Sequence, residues 1–194
     1  MTSFGSICVL CGSGEGDAPA YRAAAVALGR EMAARKIRLI FGGGSIGLMG
    51  AIADAVIEAG GEAIGVIPDF LIRYEVGHKR LSRLVVTDSM HERKRRMFEM
   101  ADAFVVLPGG LGTLDETFEI VTWKQLGLHA APIVVLDVDG YWTPLRALID
   151  AVIAARFAHP KVSELVTFVS SPDEVLAALD AAPQPAPGVA TGHL

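Results

Sequence analysis

An α/β fold is predicted, with a doubly wound parallel sheet of about seven strands flanked by helices in a single domain. Three observations carry this expectation. Short apolar runs rich in β-branched residues alternate with longer helical stretches as far as about Asp180, and such alternation builds βα units around a parallel sheet. Several of the runs are apolar at every position, as strands covered on both faces must be. Finally, eleven of the 21 glycines fall in three short loops that each follow one of these runs. In a parallel sheet those loops lie together along the C-terminal edge.

In chain order, strands are expected at 5–11, 37–41, 62–67, 83–87, 103–107, 132–136 and 166–169. Helical spacing runs through 19–36, 47–59, 89–101, 113–126, 143–157 and 172–179. Thr143 before Pro144 and Ser171 before Pro172 both read as a cap followed by proline at the first helical position. The stretch 67–81, with Pro68, Arg73, Tyr74, Glu75, His78, Lys79 and Arg80, has no clear period. It reads as a surface loop or a short broken helix, the kind of segment that carries function. Residues 1–182 form the expected domain. The segment 183–194, with three prolines, two glycines and no charge, is expected to be a disordered tail.

Composition narrows the function. The 194 residues carry 17 basic and 22 acidic side chains, a net charge of −5. Coating nucleic acid or an anionic membrane needs a net basic face, so neither is an expected partner. No apolar run reaches the roughly 18 residues of a spanning helix, and residues 1–6 hold no basic stretch ahead of the apolar 7–10. A cytoplasmic protein is expected. Cys8 and Cys11 lie three apart in an apolar strand, where they point to opposite faces, and two buried thiols are favoured over a redox pair. The five histidines show no ligand spacing, so no metal is expected, and no G-x-S-x-G elbow presents a serine nucleophile. Trp123 and Trp142 fall in helical stretches and read as core or interface residues.

The glycine loops are Gly12, Gly14, Gly16; then Gly42, Gly43, Gly44, Gly47, Gly50; then Gly109, Gly110, Gly112. Glycine lets backbone N–H groups approach an anion, and a following helix start adds a favourable dipole. Tight turns without a ligand would need glycine too. Three such loops on one edge favour a phosphorylated ligand, held by Gly12 and Ser13, by Gly43, Gly44 and Ser45, and by the third loop. Gly42-x-Gly44-x-x-Gly47 matches the dinucleotide string but follows the second strand, and the third strand ends in Ile67-Pro68 instead of an acid for a ribose hydroxyl. Leu48 and Met49 stand where a P-loop needs Lys and Ser or Thr. NAD chemistry and ATP-driven chemistry both lose support.

The third loop enters a helix through Thr113-Leu114-Asp115-Glu116. Thr-x-x-Glu is a capping box, so Glu116 could simply close its own helix. Against that, a carboxylate beside a phosphate cradle is costly unless a cation or a reaction uses it, and Asp115 and Glu119 add to the negative charge. The cations come from 88–97, which opens with a second box, Ser89-x-x-Glu92, and holds Arg93-Lys94-Arg95-Arg96. On a helix Met90, Arg93, Lys94 and Met97 share a face. Arg95 and Arg96 read as solvated, whereas Arg93 and Lys94 read as a functional surface.

Three strings, Gly42 to Gly50, Met90-His91-Glu92-Arg93-Lys94, and Pro108 to Glu116, together resemble the LOG family across about 5–180. Its members are cytokinin riboside 5′-monophosphate phosphoribohydrolases, often mislabelled lysine decarboxylases. The resemblance implies a Rossmann-like fold, a homodimer or higher homo-oligomer, and hydrolysis of the N-glycosidic bond of adenine-type nucleoside 5′-monophosphates, AMP among them. It implies Arg93 and Glu116 as the catalytic pair. The implied nucleotide contacts are Lys94, Gly110, Leu111, Gly112 and Thr113, Glu75, Met90 near the base, and Thr122. Asp115 stands where members commonly carry Glu, and Leu111 fills a position often aromatic in plant members. No cofactor is implied. A phosphorylated-ligand carrier of the same fold is the alternative, while lysine decarboxylation would need a pyridoxal-bearing lysine that no sequence context supports.

Overall fold

The computed structural model describes residues 4–72 and 77–182. The expectations for Glu75 and for the tail at 183–194 lie outside the described residues. Seven strands form one sheet: β1 (Ser6–Leu10), β2 (Arg38–Phe41), β3 (Ala63–Pro68), β4 (Arg83–Thr87), β5 (Ala103–Val106), β6 (Ile133–Leu136) and β7 (Thr167–Val169). Among the described residues, six α-helices flank it: α1 (Pro19–Ala34), α2 (Gly47–Glu58), α3 (Met90–Glu99), α4 (Leu111–Gln125), α5 (Thr143–Ala154) and α6 (Pro172–Ala181). Each falls where the sequence places it, with ends shifted by at most three residues.

All strand pairs are parallel, in the order β4-β3-β2-β1-β5-β6-β7. The chain steps outward from β1 to β4, then returns across the sheet to β5 on the other side of β1. The order therefore reverses between β1 and β5, and the loops after these two strands border the crevice where such sheets bind ligands.

Strand residues alternate between two cores. Ile7, Val9, Leu39, Phe41, Val105 and Leu107 pack with α1, α2 and α6 through Leu28, Met32, Ile52, Val56 and Leu176. Cys8, Leu10, Ile40, Phe104 and Val106 face the other way, against Met97 of α3, Ile120 of α4 and Leu145 of α5. Burying each large aliphatic or aromatic side chain stabilises the fold by about 1.5–3 kcal/mol. Trp142 is buried in the second core, and Trp123 sets its edge against Phe98 with ring centroids 5.0 Å apart.

Cys8 and Cys11 are both buried, free, and assigned to opposite cores. Burial pushes both thiols above their ordinary value of 9.0; the Glu116 charge adds to the rise and the Arg93 charge opposes it. The folded chain thus holds these protons while the unfolded chain releases them near pH 9. Stability from the neutral thiols is complete below pH 9 and declines as the pH rises above it. A disulfide reagent at neutral pH is expected to modify neither thiol until the protein unfolds; rapid modification of the native chain would contradict this packing.

Ser171 caps α6 as expected, accepting from the Asp173 N–H, while Glu174 completes the capping box. Thr143 does not cap α5. It is the first helical residue, and the capping role passes to Asp137, whose carboxylate accepts from the Trp142 N–H at 2.5 Å and the Thr143 hydroxyl at 3.3 Å. No helix among the described residues is long and apolar enough to cross a membrane.

Candidate active site

The site begins with the helix that follows β4. Ser89 caps α3 by accepting the Glu92 N–H at 3.2 Å, and the Glu92 carboxylate accepts the Asp88 N–H at 3.1 Å. From this start the helical period turns Arg93 and Met97 inward and leaves Arg95 and Arg96 exposed. Among the described residues the ion pairs of the outer two are with helix neighbours, Arg95 with Glu99 at 3.9 Å and Arg96 with Glu92 at 3.6 Å and Glu99 at 3.7 Å.

Arg93 is only 6% exposed. Its Nε donates to the Val66 carbonyl of β3 at 3.1 Å and its Nη2 to the Gly42 carbonyl after β2 at 3.3 Å. Nη1 lies 3.6 Å from Glu116 Oε1 and 3.9 Å from Met90 Sδ. A buried cation is tolerated only when its donors are matched in this way. Gly42 is part of that match, because a Cβ there would run into Arg93 Nη2 and come within 2.9 Å of Met49 Sδ. The sequence assigns this glycine to a ligand loop; in the structure it makes room for the guanidinium.

Glu116 is not a cap. Helix α4 opens two residues earlier than expected, with Gly110 at the N-cap, Leu111 first and no side chain capping the start. Thr113 is thus third and Glu116 sixth, one turn too deep for a capping box. Glu116 instead faces Arg93 with its side chain 12% exposed. Its neighbours hold Lys94, whose Nζ lies 3.2 Å from Asp115 Oδ2 and 3.1 Å from Glu119 Oε2. Burial acts to lower the Lys94 pKa, but hydrogen bonds and charge from Glu119 and Asp115 outweigh it and leave it raised. Two cations from α3 thus meet the three carboxylates expected around Glu116, leaving one negative charge in excess, and Lys94 ties α3 to the α4 residues that flank Glu116 in sequence.

The glycine loops pack on one another. The Gly12 N–H donates to the Pro108 carbonyl at 3.0 Å, joining the loops after β1 and β5. The Leu48 and Met49 N–H groups at the start of α2 donate to the carbonyls of Gly14 at 3.2 Å and Gly12 at 3.3 Å. Gly47 has φ +62°, and a Cβ on it would collide with the Ser13 carbonyl. The Gly43 carbonyl accepts the His78 N–H at 3.1 Å, and Gly44 bridges to Gly77. At the start of α4 the situation differs: a Cβ at Gly110 or Gly112 would have no atom within 4 Å, and Leu111 is 85% exposed.

Of the expected contacts, Arg93, Met90, Lys94 and Glu116 come together between α3 and α4. Gly110 to Thr113 form the first turn of the same α4, with Thr113 itself buried. Gly12, Gly43 and Gly44 are buried, Ser45 is half-buried and Ser13 exposed. Thr122 is exposed on α4. It sits six residues past Glu116, roughly 240° further round the helix, so it does not share that face.

Two residues take on roles that the sequence does not assign them. His78 is buried, with Nε2 3.0 Å from Asp54 Oδ1 of α2 and Nδ1 accepting the Arg80 N–H at 3.3 Å. Arg80 also pairs with Asp54 and, at 3.7 Å, with Glu58. These bonds fasten 77–80 to α2 beside the Gly42–Gly44 turn, and nothing local in the sequence marks them. Tyr141 donates its hydroxyl to the Gly109 carbonyl at 2.6 Å. It follows β6, so the rule that places post-strand loops on one edge could have found it.

A parallel sheet with a buried arginine–carboxylate pair and an uncapped, glycine-framed helix start along its C-terminal edge defines an α/β protein of the Rossmann-like class. Its particular kind is settled by comparison. The chain belongs to the LOG family, whose model, described as "Possible lysine decarboxylase", matches residues 49–179. A relative from Oryza sativa subsp. japonica, named "Probable cytokinin riboside 5'-monophosphate phosphoribohydrolase LOGL9", is 49% identical over 173 residues, 89% of this chain and 75% of its own. Another from Arabidopsis thaliana, the cytokinin riboside 5'-monophosphate phosphoribohydrolase LOG7, is 41% identical over 177 residues, 91% of this chain and 82% of its own. Among solved structures, the molybdenum cofactor carrier protein of Chlamydomonas reinhardtii aligns with a TM-score of 0.66 at 24% identity, covering 89% of this chain and 94% of that one. That likeness is one of fold.

Proposed function

We propose that this protein hydrolyses the N-glycosidic bond of adenine-type nucleoside 5′-monophosphates, releasing the free base, a cytokinin where N6 is modified, and ribose 5-phosphate. The carrying observation is the buried Arg93–Glu116 contact at 3.6 Å beside the open start of α4. Relatives at 41–49% identity bearing phosphoribohydrolase names support it.

As the base departs, positive charge builds on the ribose in an oxocarbenium-like transition state. A fixed carboxylate stabilises that charge and can orient the attacking water. Glu116 takes this role, and Arg93, itself fixed by two backbone carbonyls, holds Glu116 in place. Leu111, Gly112 and Thr113 open α4, where backbone N–H groups and the helix dipole receive the 5′-phosphate. Binding energy gained there positions the sugar against Glu116. Lys94 serves through its bonds to Asp115 and Glu119, which fits a lysine committed to structure better than one carrying a pyridoxal group as a decarboxylase requires.

The finer reading adds AMP as a substrate, a homodimer or larger homo-oligomer and a cytoplasmic setting. The exposed Leu148 and Val152 of α5 and the exposed Phe157 supply apolar surface that a second copy could cover.

Chromatography of the protein incubated with AMP, isopentenyladenosine monophosphate and the matching ribosides tests the reading. Free base is expected from the monophosphates and not from the ribosides. Tight nucleotide binding with no base released would favour the carrier alternative.

A further inference from the structure

We infer that Tyr141 is a positioning residue for the phosphate end of the site, acting through the peptide between Gly109 and Gly110. The inference rests on the monophosphate reading above and adds a residue to it.

A peptide flanked by two glycines has little of its own to fix its orientation, since neither side carries a Cβ to block rotation. Here it is held from outside. The Pro108 carbonyl accepts the Gly12 N–H at 3.0 Å, and the next carbonyl, that of Gly109, accepts the Tyr141 hydroxyl at 2.6 Å. A trans peptide is planar, with its C=O and N–H pointing in opposite directions. Fixing the Gly109 oxygen against Tyr141 therefore directs the Gly110 N–H away from that ring. Gly110 is the N-cap of α4, so its N–H heads the row of donors that an anion at this helix start would meet. A flipped peptide would present a carbonyl oxygen there and repel the phosphate.

The hydroxyl can do this because the ring that carries it is fixed. Tyr141 packs edge-on against Tyr21 of α1, with centroids 5.3 Å apart, and against Trp142, 4.7 Å apart. The turn leading to it, Val138–Gly140, passes through Asp139 at φ +51° and Gly140 at φ +77°, and Asp137 ties its far side to the start of α5. The chain of support thus runs from the end of β6 to the loop after β5, across the edge of the site.

Tyr141→Phe keeps the ring contacts and removes the hydroxyl alone. In steady-state assays of base release, the variant is expected to show a KM for the nucleoside monophosphate about three- to ten-fold higher. Its kcat should stay within about twofold and its thermal midpoint close to that of the wild type, since one hydrogen bond is a modest part of the fold. An unchanged KM in active protein, with or without a lower midpoint, assigns Tyr141 to ring packing only and overturns the positioning role. A kcat loss exceeding the KM rise overturns it as well. A wild-type protein that releases no base overturns the underlying reading and this inference with it, so the two failures are told apart by the wild-type lane.

Discussion

Replacing Glu116 by glutamine is expected to lower kcat about a thousand-fold while leaving KM for the monophosphate within a few-fold, as removal of a transition-state charge does. The amide has the shape of the carboxylate but cannot stabilise a developing oxocarbenium ion or accept a proton from the attacking water. Binding should survive because the expected phosphate contacts lie on the first turn of α4, not on Glu116. The protein should also fold: Arg93 loses its anionic partner but keeps the carbonyls of Val66 and Gly42. The stability cost is about 1–3 kcal/mol. Kinetics of base release together with calorimetric titration of AMP check both halves. A variant turning over near the wild-type rate would remove Glu116 from the mechanism.

Arg93→Lys is the second large effect. One arginine meets two carbonyls, a thioether and a carboxylate from a single planar fork. A lysine ammonium is a point charge on a flexible stem and cannot span the same partners. At least one carbonyl is left unsatisfied and Glu116 gains freedom to move, so kcat/KM is expected to fall about a hundred-fold and unfolding stability by about 2 kcal/mol. Urea unfolding and kinetics on the same preparation separate the two losses. Retention of half the activity would mean that charge at this position suffices and the fork geometry does not matter.

Much of the fold was readable because its signals are local: apolar runs for buried strands, helical spacing between them, proline after Ser171. The Arg93–Glu116 pair follows from the motif resemblance and from the helix face that Arg93 shares with Met90 and Met97. Other features were hidden for physical reasons. Thr113-x-x-Glu116 is a valid capping string, and only the backbone at Gly110, which opens α4 two residues early, decides against it. Asp137 captures the cap expected of Thr143 through a turn whose geometry no periodicity encodes. Two glycines of the loop after β2 are demanded by neighbours far away in sequence, Gly42 by Arg93 and Gly47 by Ser13. His78 and Tyr141 act through partners 24 and 32 residues distant.

The bonds from Leu48 and Met49 to the carbonyls of Gly14 and Gly12 bear on how many charges the crevice can read. Helices α2 and α4 both start beside the Gly12 loop, yet α2 has spent its Leu48 and Met49 donors on that loop. Of these two, α4 keeps its first N–H groups clear of neighbouring carbonyls among the described residues, a positive pole worth about half an elementary charge. A pyrophosphate laid across both helix starts would find donors under one phosphate and occupied amides under the other. On the proposed reading this pattern fits a single phosphoryl group, and discrimination of mono- from diphosphates would lie in the backbone ahead of any side chain.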